Sequence, residues 1–176
     1  MLADADFLIL DGYNIINSWG YLKNIQTESL EHARQELENI MSSYGSFKGY
    51  KVIIVYDGQG MMGASKEEEV NQSLNIVFTS DGLTADSYIE RRVYDILRKK
   101  KIVYVVTGDY SEQLAILGTG AYRQSVRELR EDYERSKKDM LSVHKKTTKT
   151  MGRNELAGRI GSVDVLTKLE NMRRNC

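Results

Sequence analysis

The sequence predicts an α/β fold, specifically a three-layer α/β/α sandwich with a mainly parallel sheet. Four short apolar runs rich in β-branched residues predict strands at 6–10, 51–56, 74–78 and 102–107. Most residues in these runs are apolar, which is typical of strands buried on both faces of a parallel sheet. Helical patterns lie between the strands, and this alternation implies right-handed crossovers that place helices on both faces of the sheet.

The helices are predicted from apolar residues that recur at helical spacing. One such pattern covers residues 30–41, and a second covers 89–97 with Thr84 as its N-cap. After the fourth strand, we predict helix to about Lys138, and a last helix that begins at the N-cap Ser162.

Charge is divided unevenly along the chain. The 176 residues are 41% hydrophobic and 28% charged, so we expect one domain over 1–176. Residues 1–120 contain 11 basic and 17 acidic residues, a net charge of −6, whereas residues 121–176 contain 14 and 8, a net charge of +6. We therefore expect a sheet core with an acidic cleft at 1–120 and a helical, basic C-terminal appendage at 121–176.

Several classes of protein are excluded by composition. The apolar runs are far shorter than the roughly 18 residues of a membrane span, and no basic residue precedes the first run as in a secretory signal. We therefore expect a cytoplasmic protein with no membrane partner. Cys176 is the single cysteine, and His32 and His144 are the two histidines, which argues against a disulfide or a zinc site. Any metal must be bound mainly by oxygen.

Acidic residues recur where the predicted strands end. Asp11, Asp57 and Asp109 follow three of the strands, and Asp86 lies in the first turn of the helix after another strand. One such aspartate alone is more often a turn or cap residue. Four of them at matching strand ends favour a shared site, because ligands of open parallel sheets bind beyond the carboxyl ends of the strands.

Such a cluster of acids predicts a metal site. Neighbouring carboxylates repel one another, and a cation removes that cost. Oxygen ligands without thiols suit Mg²⁺ or Mn²⁺, which keep several waters and bind phosphates, so the predicted chemistry is phosphodiester hydrolysis. Asn14 can orient an acid of this site, and Glu90, one turn after Asp86, faces the same way.

A basic stretch at 135–153 contains seven basic residues and one acid, Asp139. It could bind a polyanion such as RNA, and a solvated connector explains it equally well. The candidate RNA-binding residues there are Lys137, Lys138, Lys145, Lys146 and Lys149.

The glycines at 58–63 fit the dinucleotide-binding pattern G-x-G-x-x-G after a strand. That pattern should open a long helix whose N-terminus meets a pyrophosphate. Here three glutamates at 67–69 oppose an anion, and the segment before Leu74 leaves room for only a short helix. We therefore expect no dinucleotide and a glycine loop at the edge of the cleft. A haloacid-dehalogenase-type phosphatase would need an aspartate at position 13, which is Tyr13.

Four motifs together resemble the YacP-like NYN proteins, a branch of the PIN-like ribonuclease superfamily. They are LILDGYN at 8–14, TADSYIE at 84–90, VTGDYSEQ at 106–113 and GTGAYRQSVREL at 118–129. The order and spacing match over nearly the whole chain. The resemblance implies a PIN-like domain that cleaves single-stranded RNA with divalent metal, associates with translating ribosomes and acts in bacterial mRNA turnover.

The resemblance also implies a set of site residues. The acidic positions of the family carry over onto Asp11, Asp86 and Asp109 as metal ligands, with Asn14 beside them. NYN domains do not uniformly have an acid at the position of Asp57, which we treat as a ligand of a second metal or a residue that orients the ligands.

Two further groups of residues have alternative explanations. Arg123, Ser125 and Arg127 either contact phosphate or tie a helix end to the core. Tyr13 and Trp19 either stack on RNA bases or belong to the core. The alternative function is a non-catalytic RNA- or ribosome-binding module with a vestigial acidic cleft, in which binding survives removal of the acids.

Overall fold

In the computed structural model, the chain forms a six-stranded sheet with helices on both faces. The structure describes residues 5–58, 64–108 and 120–142. The elements in chain order are β1 (Phe7–Asp11), α1 (Gly12–Ser18), α2 (Gly20–Glu28), α3 (Leu30–Lys48), β2 (Lys51–Tyr56), β3 (Lys66–Asn71), β4 (Leu74–Phe78), α4 (Ala85–Arg98), β5 (Val103–Thr107), β6 (Tyr122–Ser125) and α5 (126–142). The strand order is β3-β4-β2-β1-β5-β6, with β3 antiparallel to β4 and all other pairs parallel.

The sheet separates two apolar cores. Along β1, Leu8 and Leu10 contribute to a core with α1, α2, α3 and the start of α5, whereas Ile9 contributes to a core with α4. This alternation follows from the two-residue period of a strand. The predicted three-layer sandwich is therefore confirmed, and the five parallel strands end at one edge of the sheet, which we call the carboxyl edge.

The apolar runs predicted most of this sheet correctly. Strands β2 and β4 match the predicted ranges to the residue, and β1 and β5 match within one residue. Helices α3 and α4 cover the two predicted helical patterns, and the side chain of Thr84 caps α4 by accepting a hydrogen bond from the Ser87 backbone N–H at 3.2 Å.

Strand β3 corrects the prediction of a short helix before Leu74. All six of its residues are exposed, and it pairs with β4 through a tight turn in which Asn71 Oδ1 accepts from the Ser73 backbone N–H at 2.9 Å. Because β3 buries no apolar face, backbone pairing with β4 specifies it, and side-chain periodicity could not reveal it.

Strand β6 corrects the prediction that the chain is helical from the fourth strand to Lys138. It pairs in parallel with β5, and its side chains are exposed or half-buried. Helix α5 follows β6 and begins at a capping box in which the Ser125 N–H donates to Glu128 at 2.7 Å and the Glu128 N–H donates to Ser125 Oγ at 3.2 Å. The predicted helix at 109–119 lies outside the described residues. The predicted helix after Ser162 lies outside the described residues.

The helices that the structure describes include none long and apolar enough to cross a bilayer. The chain divides into two compact units, Met1–Ser136 and Lys137–Cys176, and the six strands belong to the first.

Asp132 of α5 connects that helix to α3. The Tyr44 hydroxyl donates to Asp132 Oδ2 at 2.6 Å, and Lys48 Nζ lies 2.8 Å from the same oxygen. Burial alone would raise the pKa of Asp132, but hydrogen bonds from Lys48 and Tyr44 and the positive charges of Lys48 and Arg135 outweigh burial and lower it. The ionised carboxylate therefore stabilises the fold.

Replacing Asp132 with asparagine is expected to lower the free energy of unfolding at neutral pH by about 1–2 kcal/mol, because charge-assisted hydrogen bonds are lost. A lowered native pKa gives stability that is complete above the ordinary carboxyl pKa of about 4 and is lost as pH falls through the native pKa. Urea denaturation of wild type and variant over a pH series measures both effects. The exposed Asp139 of the same helix, changed to asparagine, is the matched control. Equal stability of wild type and Asp132→Asn at neutral pH would contradict the assignment.

Candidate active site at the carboxyl edge of the sheet

Asp11 is fixed at the carboxyl edge by the turn from β1 into α1. It is the last residue of β1 and the N-cap of α1, where its Oδ1 accepts from the Asn14 backbone N–H at 3.1 Å. Residue 12, the first of α1, packs closely on β2: a Cβ there would lie 2.2 Å from Cε1 of the Tyr56 ring, so glycine allows this approach. Half-buried Asp11 is therefore held in one orientation by local backbone structure.

Asp57 follows β2, the neighbouring strand, and is held by the end of β4. Its Oδ1 accepts from the Thr79 hydroxyl at 3.2 Å, and Thr79 Oγ1 accepts from the Gly58 backbone N–H at 3.1 Å. Thr79 is fully buried. We did not predict Thr79 from the sequence, although its place directly after a buried strand was an available signal.

Asp86 belongs to the first turn of α4 and is exposed, as is Glu90 one turn later. Burial raises the pKa of Asp11, and the charges of Asp86 and Asp57 raise it further, against the lowering effect of backbone hydrogen bonds from Asn14 and Tyr13. The negative charges of Asp86 and Asp57 therefore both act on the Asp11 carboxylate. The structure thus places Asp57 and Asp86 each near Asp11, and their role as site residues stays a prediction.

Asn14 lies between Asp11 and the end of β5. A Cβ at Gly108, the residue after β5, would be 2.6 Å from Asn14 Oδ1 and 2.9 Å from Nδ2, so the amide packs directly on this glycine. The same Oδ1 accepts from the Ser18 hydroxyl at 3.3 Å. Asn14 therefore occupies the carboxyl edge at the point where the chain leads to Asp109, which lies outside the described residues.

Metal binding by these acids would need further ligands. Within the described ranges, no group of three or more His, Cys, Asp or Glu side chains is arranged to hold a metal ion. Mg²⁺ and Mn²⁺ commonly take one or two carboxylates and complete their shell with water and substrate phosphate. The oxygen donors of Asp11, Asp57 and Asp86, and the repulsion of Asp11 by the other two acids, fit such an ion.

The predicted RNA-binding residues fall in several places. Arg123 is exposed on β6, and exposed Arg127 on α5 pairs with Glu131, its Nε lying 2.9 Å from Oε1. Ser125 caps α5, as described above. Lys137 and Lys138 are exposed near the end of the described chain, and the remaining predicted positions, Lys145, Lys146 and Lys149, lie outside the described residues.

Trp19 belongs to the core, which is the second of the two interpretations given for it above. It is 5% exposed, and its Nε1 donates to the Val126 carbonyl at 3.4 Å. Its ring stacks on that of Tyr133, with centroids 5.9 Å apart. Both partners are more than 100 residues away in sequence, which is why sequence pattern could not reveal them.

Tyr13 is half-buried and lines a cavity beside Asp57 that we did not predict from the sequence. The cavity has a volume of about 590 Å³. Arg34 of α3 also lines it, and its Nη1 donates to the Tyr13 hydroxyl at 3.1 Å.

The chain is similar to known proteins over almost its whole length. The model of the YacP-like NYN domain family matches residues 8–174. A Bacillus subtilis (strain 168) protein named uncharacterized protein YacP is 36% identical over 170 residues, which cover 96% of this chain and 97% of that protein.

Two crystal structures of Rae1 (YacP) from Bacillus subtilis resemble the fold. One aligns with a TM-score of 0.72 at 34% identity and covers 96% of this chain and 95% of that one. The other, a mutant, aligns with a TM-score of 0.70 at 35% identity and covers 81% and 83%.

Proposed function

The chain belongs to the YacP-like NYN domain family, and we propose that it is a metal-dependent endoribonuclease that cleaves single-stranded RNA. NYN domains are nuclease-like and RNA-related. We further propose that the substrate is mRNA, that the protein acts in the cytoplasm at translating ribosomes, and that residues 1–176 work as one domain.

The observation that carries this proposal is the position of two acids, Asp57 and Asp86, near the half-buried Asp11 at the carboxyl edge. Burial and the charges of Asp86 and Asp57 raise the pKa of Asp11. Like charges held close together lower the stability of a fold, and a bound cation removes this repulsion. The arrangement therefore supports a site that binds a positively charged group.

In this proposal, Asp11, Asp86 and Asp109 hold Mg²⁺ or Mn²⁺, and Asn14 orients their side chains. Such an ion supplies an activated water and neutralises charge on the leaving oxygen. One oxygen of Asp57 accepts from Thr79, and the other would orient the site or bind a second ion.

Cleavage of a labelled mRNA by the wild-type chain tests the proposal. The reaction is run with Mg²⁺, with Mn²⁺ and with EDTA, each with and without translating ribosomes. We expect cleavage that EDTA abolishes, and stimulation by ribosomes. Binding to RNA or ribosomes without cleavage in any condition would replace the enzyme with the non-catalytic binding module.

The basic C-terminal residues are proposed to hold the RNA backbone. Changing Lys137 and Lys138 to glutamine is expected to weaken RNA binding, and to reduce the slope of log affinity against log salt by about 1.4, or about 0.7 per phosphate contact on a single strand. Fluorescence anisotropy over a salt series measures this slope.

Lys99 and Lys100, an equally exposed pair after α4, provide the matched control when changed to glutamine. An equal loss of affinity in both variants would show that overall charge, and not the predicted stretch, governs binding.

A further inference from the structure

The cavity beside Asp57 is formed where several elements meet at the carboxyl edge. Its walls come from α1, the segment from α2 to α3, the ends of β2 and β4, and Lys66 of β3. At about 590 Å³, it lies in the size range of small-molecule sites. We call it the Arg34 pocket, and its walls include Tyr13, Asn17, Gln26, Arg34, Asp57 and Phe78.

One wall of the Arg34 pocket contains a guanidinium group next to an aromatic ring. The Arg34 guanidinium carbon lies 5.6 Å from the centroid of the Phe78 ring. Arg34 is held by its hydrogen bond to the Tyr13 hydroxyl and by an ion pair with Glu31. Phe78 in turn stacks on Tyr56, with centroids 5.4 Å apart and ring planes 24° apart. Aromatic rings and guanidinium planes are the surfaces on which unpaired bases stack in RNA complexes.

Another part of the wall offers amide groups. Asn17 of α1 is exposed and Gln26 of α2 is half-buried, and both line the pocket. Each amide supplies donors and an acceptor, the combination that pairs with the edge of a base.

The charges of the walls favour a neutral group over a phosphate. Arg34 is paired with Glu31, and Lys66 is paired with Glu68, whose oxygen is 3.7 Å away. Asp57 adds a further negative charge to the wall. A phosphate would be attracted to unpaired cations, whereas these cations already have acidic partners.

Asp57 belongs both to the Arg34 pocket and to the group of acids whose charges act on Asp11. A group bound in the pocket therefore lies next to the proposed reaction centre.

We propose that the Arg34 pocket receives one unpaired base of the RNA strand and so sets a base preference for a nucleotide near the cleaved bond. The base stacks on Arg34 and Phe78, and Asn17 and Gln26 read its edge. This inference rests on the proposed ribonuclease function, because it concerns the RNA that the acidic site would cleave.

Binding selection with randomised RNA tests the inference without requiring cleavage. A pool of short single-stranded RNA with every position randomised is selected on the wild-type chain in EDTA, and on Asp86→Asn in Mg²⁺. We expect enrichment of one base at one position by about tenfold, the discrimination that one or two hydrogen bonds supply. In the double variant Asn17→Ala, Gln26→Ala, this enrichment is expected to fall to about twofold or less.

The double variant Asn24→Ala, Gln35→Ala is the matched control, since it removes one asparagine and one glutamine amide from exposed positions of α2 and α3. It should keep the enrichment. A third variant, Phe78→Leu, should lower overall RNA affinity by about tenfold through lost stacking.

The outcomes separate this inference from the proposed function. Cleavage by the wild type with no enriched base in either selection, or with enrichment that survives Asn17→Ala, Gln26→Ala, overturns the pocket and leaves the nuclease. Enrichment that depends on these two amides, in a chain that cleaves no RNA, supports the pocket and overturns the nuclease.

Discussion

Replacing Asp86 with asparagine is expected to lower RNA cleavage by at least about 100-fold, since loss of residues that only support metal ligands already costs 10–100-fold. The change removes a negative charge that would hold the cation, and it preserves side-chain size. Asp86 is exposed, so the fold should be unaffected. RNA affinity is expected to stay within about twofold, because phosphate contacts to basic residues dominate affinity. Gel analysis of a labelled RNA and fluorescence anisotropy measure the two effects.

Asp11→Asn should cause the same loss of RNA cleavage, and it should also change the thermal stability of the protein. Asparagine can still accept the Asn14 N–H as an N-cap. Burial and neighbouring charges raise the pKa of Asp11. Above this raised pKa, the ionised side chain lowers the free energy of unfolding, whereas below the ordinary carboxyl pKa it has no such effect. At neutral pH, the metal-free variant should therefore melt at or above the wild-type temperature.

A suitable control for both variants is Asp95→Asn, which changes an exposed aspartate near the other end of α4. It should cleave at the wild-type rate. Wild-type cleavage by either Asp86→Asn or Asp11→Asn would exclude that residue from the active site.

Replacing Gly58 with alanine is expected to destabilise the protein by more than about 3 kcal/mol, the upper end of the usual cost of overpacking. A Cβ at Gly58 would lie 1.9 Å from the Thr79 carbonyl oxygen and 3.0 Å from its carbon. These are backbone atoms, so no side-chain rotation relieves the contact. With a shift of about 2–4 °C per kcal/mol, the melting temperature should fall by about 10 °C. Thermal unfolding followed by circular dichroism measures it.

Gly20→Ala provides a control with the same chemical change. Nothing lies within 4 Å of a Cβ at Gly20, the first residue of α2. Because alanine favours helix over glycine by up to about 1 kcal/mol, this variant should be as stable as the wild type or slightly more so. If Gly58→Ala and Gly20→Ala have the same melting temperature, then the close approach of Gly58 to Thr79 does not constrain the fold.

Most of the parallel strands could be predicted because a strand buried on both faces is an uninterrupted run of apolar residues in the sequence. Strand β2 is an example, with five of its six residues buried. Strand β3 has no such apolar pattern, since all of its residues are exposed. Its conformation is specified by backbone hydrogen bonds to β4. Strand β6 is short and polar, and its pairing with β5 depends on residues distant in sequence.

The site was predictable to the extent that topology alone defines it. Parallel strands end at a common edge, so Asp11, Asp57 and Asp86 could be expected there, and the charges of Asp57 and Asp86 do act on Asp11. The Arg34 pocket was not predictable, because its walls come from elements that only tertiary packing brings together. The hydrogen bond from Thr79 to Asp57 joins the ends of two strands for the same reason.

The polarity of β3 also affects how the folded protein behaves in concentrated solution. This strand forms one outer edge of the described sheet, and an outer strand presents backbone groups to which a strand of another molecule can add. Residues 66–69 are one lysine and three glutamates, and the register shifts between Glu69 and Asn71. A second copy of β3 alongside would face like charges and an irregular row of hydrogen-bonding partners. The charged residues that prevented the prediction of β3 from the sequence therefore protect the folded protein against edge-to-edge aggregation.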